Sequence, residues 1–215
     1  MNSKFHKRLC NKMKYREITI WLVILTVGVL AVSCANTSPY INMRYQPPPP
    51  SELLKSKAVF FQFKDNRIDK TVLGPGAKHY FRNFSGYFTL YIAEENMNDE
   101  MVGGHNVESL FKKALTTRLE TMGVNVININ QREAPVLELI LEKFYLDYRF
   151  KEWVTDISLQ VNLIKDKITA TDKVSITGIR TKSFGYGNVE NFLSEIFSDS
   201  LNKLDIAKLF VEVGL

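Results

Sequence analysis

The sequence predicts an α+β domain in which an antiparallel sheet carries two amphipathic helices packed on one face. Three observations lead there. Residues 153–164 alternate: Ile157, Leu159, Val161 and Leu163 point one way and Asp156, Ser158, Gln160 and Asn162 the other, as in a half-buried antiparallel strand. Residues 107–122 set Val107, Leu110, Phe111, Ala114, Leu115, Leu119 and Met122 at helical spacing. A second helical set runs from Val189 through Phe192, Leu193, Ile196, Phe197 and Leu201 to Leu204.

The other elements follow along the chain. Residues 57–64 are rich in β-formers, with Val59, Phe61 and Phe63 on one face, and Asp65-Asn66-Arg67 ends that strand with turn chemistry. Gly74-Pro75-Gly76 breaks the next stretch, and residues 86–93 read as a strand. A polar loop then closes on Gly103-Gly104. Asn106 is placed to cap the first helix, with Glu108 at its positive end and Gly123 just past its last turn. Residues 124–129 return as a strand, Pro135 separates them from a long strand over 136–149, and Lys165-Asp166-Lys167 turns the chain into a last strand over 168–184 with Val174 and Ile176 inward. Gly185-Tyr186-Gly187 ends it, Asn188 caps the second helix, and a short amphipathic tail finishes the domain.

Charge is divided unevenly along the 215 residues. The net charge of +5 sits in residues 1–34, which hold six basic side chains and one acid, Glu17. The rest holds 22 of each sign, so the domain carries no phosphate-binding excess and no nucleic acid partner is expected. Residues 18–33 form an uncharged apolar run. It is short of the roughly 20 residues that span a bilayer and matches the apolar core of a signal peptide. Ala31-Val32-Ser33-Cys34 closes it, and this resembles the bacterial lipobox. Ala31 stands where leucine is commonest, and Ser33 supplies the small residue before the cut. The resemblance implies cleavage before Cys34, diacylglycerol on its sulfur and an acylated new amino group. With Cys10 removed in the leader, Cys34 is the sole remaining thiol. Ala35-Asn36 follows it with no aspartate, which by the enterobacterial sorting rule implies the outer membrane.

The division expected is therefore a signal peptide over 1–33, a lipidated N-terminus and Pro-rich tether over 34–56, and an α+β domain over 57–215. The tether contains Pro39, Tyr40, Tyr45 and the run Pro47–Pro50, which favours polyproline II geometry. Fully extended, 22 residues reach at most about 70 Å.

In layout the chain resembles the YajG-type family of bacterial lipoproteins. The matching pieces are the lipobox at Cys34, the early strand ending Lys64-Asp65-Asn66-Arg67, the helix Val107–Met122 running into Gly123-Val124-Asn125-Val126, and the strand Val136–Tyr148 with its Leu-Glu-Leu pattern. Two more long strands and the final helix complete a match over most of residues 34–210. It rests on order and spacing, with no chemical motif, and implies no activity. The plan is also similar to transporter-associated and lipopolysaccharide-assembly lipoproteins, an analogy of fold alone.

Catalytic constellations are sparse. His79 and His105 remain outside the leader, with no HExxH, CxxC or Gly-x-Ser-x-Gly arrangement. Asp65, Arg67, His79 and His105 are the nameable candidates for a periplasmic hydrolase. Glu138 and Glu142 stand about 13 Å apart along one strand, too wide for a retaining glycosidase pair. Gly74-Pro75-Gly76 and Gly103-Gly104 lack the lysine and register of a phosphate loop. No cofactor and no metal are expected. The aromatic group Tyr80, Phe81, Phe84, Tyr87 and Phe88 is the candidate interaction surface, since aromatics gather at interface centres, with core packing as the default alternative. The reading is a membrane-anchored envelope lipoprotein, not an enzyme, that binds an envelope protein or lipid component. An accessory subunit of a transporter or lipopolysaccharide-assembly complex is the alternative.

Overall fold

A computed structural model describes residues 38–93, 100–127, 134–181 and 187–215, with the side chains of Glu100, Gly187 and Asn188 left aside. In chain order the elements are β1 (Tyr40–Tyr45), β2 (Ala58–Asp65), α1 (Pro75–Tyr80), β3 (Tyr87–Ile92), β4 (Glu100–His105), α2 (Val107–Thr121), β5 (Asn125–Ile127), β6 (Val136–Arg149), β7 (Glu152–Lys165), β8 (Ile168–Thr181), α3 (Gly187–Asn202) and α4 (Ile206–Glu212). The expected leader with Cys34, the Gly185-Tyr186 turn and the Asn188 cap lie outside the described residues or side chains.

The three long strands pair antiparallel as a meander and form the frame of a five-stranded sheet, order β5-β2-β6-β7-β8. Leu137, Leu139 and Leu141 of β6 and Ile157, Leu159, Val161 and Leu163 of β7 are fully buried on its inner face. The opposite face is a polar lattice. Asn162 donates to Glu138 (3.0 Å), Ser158 to Glu142 (3.0 Å), and Thr177 to Asp156 (2.6 Å). Lys173 and Lys143 add ion pairs to Glu142 (2.6 Å) and Asp156 (2.8 Å). One face is thus dry and one wet, which explains the clean alternation along β7.

The α+β class is as expected, but the sheets are mixed. β2 runs parallel to both β6 and β5, and a separate three-stranded sheet, order β1-β3-β4, pairs β1 parallel to β3. Helices α1 and α4 join the two that were expected. The helix α2 begins where its sequence indicates, with the Asn106 side chain accepting from the Ser109 N–H (2.9 Å), and ends at Gly123 with φ +84°.

The largest correction concerns the tether. The domain begins at Ser38. Ile41, Met43 and Tyr45 are wholly buried, so this segment belongs to the fold and is not a free tether. The physical reason lies in α3, where Glu190, Ser194, Ser198 and Asn202 recur at four-residue spacing and form a polar stripe along the open edge of β1. Glu190 accepts from the Asn42 N–H (2.8 Å), Ser194 from Arg44 (2.9 Å) and Ser198 from Gln46 (3.1 Å). The Asn202 amide donates to the Gln46 carbonyl (2.8 Å). With the N–H groups of Asn42, Arg44 and Gln46 bonded this way, the edge strand is protected from association and held in the fold. The proline run then borders a cleft of about 500 Å³ against α3 instead of projecting freely.

Candidate functional site

The segment from Asp65 to Gly86 contains Asp65, Arg67, His79, Tyr80, Phe81 and Phe84 of the residues singled out in the sequence. Asp65, at the end of β2, receives Arg67 Nε (3.0 Å) and Nη2 (2.9 Å) and lies 3.0 Å from Lys70 Nζ. Arg67 itself is buried. Partial burial alone would raise the Asp65 carboxyl, but the hydrogen bonds from Arg67 and Lys70 outweigh it and bring the pKa down to about 2. The folded pKa lies below the ordinary value of 3.8, so this contribution to stability is complete above that value. It is lost as pH falls from there towards 2. Asp65→Asn is expected to be less stable than the wild type at neutral pH and to lose less further stability across that acid window. Urea midpoints measured from pH 5 to pH 2 check this; parallel curves would contradict it.

Downstream, Gly74-Pro75-Gly76 starts α1 rather than a free turn. The Asp147 carboxylate of β6 accepts from the N–H groups of Gly76 (3.0 Å), Ala77 (3.3 Å) and Tyr148 (2.8 Å). The Tyr145 hydroxyl donates to its other oxygen (3.2 Å). The two glycines are required by close approach. A Cβ on Gly76 would lie 1.8 Å from the Tyr148 carbonyl oxygen, and one on Gly74 2.1 Å from the Tyr145 hydroxyl.

Docked this way, α1 delivers the aromatic group to the domain. Tyr80 packs on Tyr148 (4.8 Å) and Trp153 (5.0 Å), Phe81 faces Trp153 (6.2 Å), and Phe84 meets Phe88 (5.3 Å). Phe88 is wholly buried and therefore belongs to the core, which corrects its place in the candidate contact surface. Tyr80, Phe81 and Phe84 are half-buried against that core, and Tyr87 is 48 % exposed. Phe81 and Phe84, with Val72, Leu73 and Val107, line an open cleft of about 500 Å³ that Lys70, Lys78 and Arg82 also border. An apolar floor under a cationic rim suits an anionic amphiphile.

The hydrolase candidates do not form a shared hydrogen-bonded centre. His79 lies beside Arg82, whose Nη2 is 3.3 Å from both ring nitrogens. The His105 ring contacts the Val102 carbonyl (3.2 Å) of its own strand, while Asp65 and Arg67 bond each other. Glu138 and Glu142 belong to the polar lattice. Among the described residues no three His, Cys, Asp or Glu side chains gather in a group able to hold a metal ion.

One feature here had no sequence signal. The β6–β7 hairpin turns through Phe150 (φ +54°) and Lys151 (φ +66°), the left-handed backbone that Asn-Gly usually supplies in a two-residue turn. For residues with a Cβ, this conformation costs roughly 1–2 kcal/mol each. Phe150 is 93 % exposed, so no packing within the domain compensates.

No family model matches the sequence, and no curated protein does. Several solved structures are similar, two of which illustrate the likeness. One, an uncharacterized protein, has a TM-score of 0.45 and 12 % identity, with 79 % of this chain and 97 % of that one covered. The other, a Xanthomonas campestris protein of family DUF330, has a TM-score of 0.42 and 12 % identity, with 74 % of this chain and 89 % of that one covered.

Proposed function

We propose that this chain is a bacterial envelope lipoprotein of the YajG type: the leader is removed, Cys34 is acylated, and the domain works without catalysis as a binding module at the periplasmic face of the outer membrane. The observation that carries this reading is the uncharged run 18–33 ending in Ala31-Val32-Ser33-Cys34, which leaves one thiol in the mature chain. More than one acyl chain is needed for stable anchoring, at about 0.8 kcal/mol per buried methylene, and a lipobox cysteine carries three. The cleft bordered by Lys70, Lys78 and Arg82 supports an anionic lipid or an acidic protein segment as the bound component. Among the described residues no helix is long and apolar enough to cross a membrane. Cells given labelled palmitate should incorporate it into the wild-type chain, and Cys34→Ala should abolish incorporation; an unlabelled wild type would defeat the proposal.

A further inference from the structure

We infer that the β6–β7 hairpin tip, Arg149-Phe150-Lys151, rests on the anionic headgroups of the anchoring membrane with Phe150 inserted between them. This rests on the anchor at Cys34. Two independent observations place the tip there: its own chemistry, and the length of chain left between anchor and domain.

The tip presents a nearly fully exposed phenylalanine between two exposed cations. Lys78 and Arg82 on the neighbouring segment add positive charge, and Glu152 is the acid beside the turn. An apolar wedge flanked by Lys and Arg matches a surface with acidic headgroups above an acyl layer. The left-handed backbone at Phe150 and Lys151 indicates that these side chains are kept despite a conformational penalty.

Geometry selects the same end of the domain. The Pro39 carbonyl accepts from both the N–H and the hydroxyl of Ser85 (2.9 Å each), so the chain enters the fold beside Ser85. The Phe84 N–H bonds the Phe81 carbonyl, Phe81 faces Trp153, and Trp153 packs on Tyr148, its partner across the hairpin. The opposite hairpin, Lys165–Ile168, lies at the far end of β7, about 43 Å away at about 3.3 Å per residue. From Cys34 to Ser38 the chain reaches at most about 14 Å. A lipid on Cys34 therefore keeps Ser38 within that reach of the bilayer, on the side of the fold from which the contacts through Ser85, Phe81 and Trp153 lead to the β6–β7 tip.

The test uses full-length protein extracted from membranes and reconstituted into vesicles of phosphatidylethanolamine and phosphatidylglycerol. Phe150→Cys and Ile168→Cys chains each carry a nitroxide label. The label in Phe150→Cys should become severalfold less accessible to an aqueous nickel chelate and more accessible to oxygen, while that in Ile168→Cys stays aqueous. Replacing phosphatidylglycerol by phosphatidylcholine should reduce the immersion. Equal aqueous exposure at both positions, or immersion indifferent to headgroup charge, overturns the inference. Label stoichiometry separates this from the anchor. One label per chain shows that Cys34 is blocked. More than one shows a free native thiol, and then the anchor reading fails whatever the label at position 150 reports.

Discussion

Phe111→Ala is expected to lower the unfolding free energy by about 4 kcal/mol, within the range of about 3–5 kcal/mol seen when a fully buried phenylalanine is truncated. Phe111 is 0 % exposed on the inner face of α2. Its ring contacts Phe63 of β2 (6.4 Å), Phe144 of β6 (5.2 Å) and Phe197 of α3 (5.0 Å). Three elements distant in sequence therefore lose a shared packing partner at once. These neighbours are rings anchored on separate elements, so collapse into the void is restricted and the cavity contribution stays large. Phe150→Ala is the matched control: it removes the same side chain from an exposed turn and should change stability by less than about 0.5 kcal/mol. Urea unfolding of both variants checks the contrast, and equal losses would contradict the assignment of the core.

Arg118→Leu is expected to cost about 3 kcal/mol, by a different route. Arg118 is buried and donates to the carbonyls of Leu201, Asn202 (3.1 Å) and Leu204 at the end of α3. These carbonyls lie at a helix terminus, where intrahelical bonding runs out, and a cation there also meets the negative end of the helix. Burial pushes the guanidinium pKa down, opposed by Tyr45, Asp205 and Asp172. Burial pushes the neighbouring Tyr45 hydroxyl up, so it stays protonated and donates to Asn202 Oδ1 (2.9 Å). Leucine fills the space but removes the charge-assisted bonds, leaving the Leu201 and Leu204 carbonyls with only the N–H groups of Leu204 (3.4 Å) and Ile206 (3.0 Å). Lysine keeps the charge without the fork and should fall between the two. Because the same end of α3 carries Ser198, which accepts from the Gln46 N–H, the amide of Gln46 should exchange faster in Arg118→Leu. A leucine variant as stable as the wild type would show that the cap is dispensable.

These two sites show where sequence reasoning reaches. The helix around Phe111 and the meander β6–β8 were legible because a periodic apolar pattern is a local property, and α2 even carries its own cap. Strand direction is not local. Nothing in Val59-Phe60-Phe61 distinguishes a parallel neighbour from an antiparallel one, so the mixed sheets went unread. β1 was hidden because its outer hydrogen-bond partner is a side-chain stripe, with Ser194 150 residues from Arg44, and because the prolines after it read as a spacer. Helix α1 has six residues behind a Gly-Pro-Gly breaker and is started by Asp147 of a distant strand.

The aromatic segment illustrates a further limit. Hydrophobicity places Tyr80 to Phe88 in contact with something but does not name it. The fold sends Phe88 into the core and leaves Tyr87 outside. The hairpin tip was silent for the opposite reason: Arg-Phe-Lys carries no turn signal, and its interest lies in a backbone that those residues disfavour. The cleft beside Lys78 and Arg82 was missed because its charges and its apolar floor come from stretches that look unremarkable one at a time.

The covalent state of Cys34 decides whether the domain is tied to lipid. Intact-mass and fragment analysis of the membrane-extracted protein addresses it directly. The predicted result is a chain whose first residue is Cys34 with acyl groups on both sulfur and amino nitrogen. A chain retaining the apolar run, starting elsewhere, or carrying an unmodified sulfur at that position would contradict the anchor and leave the short reach to Ser38 without consequence.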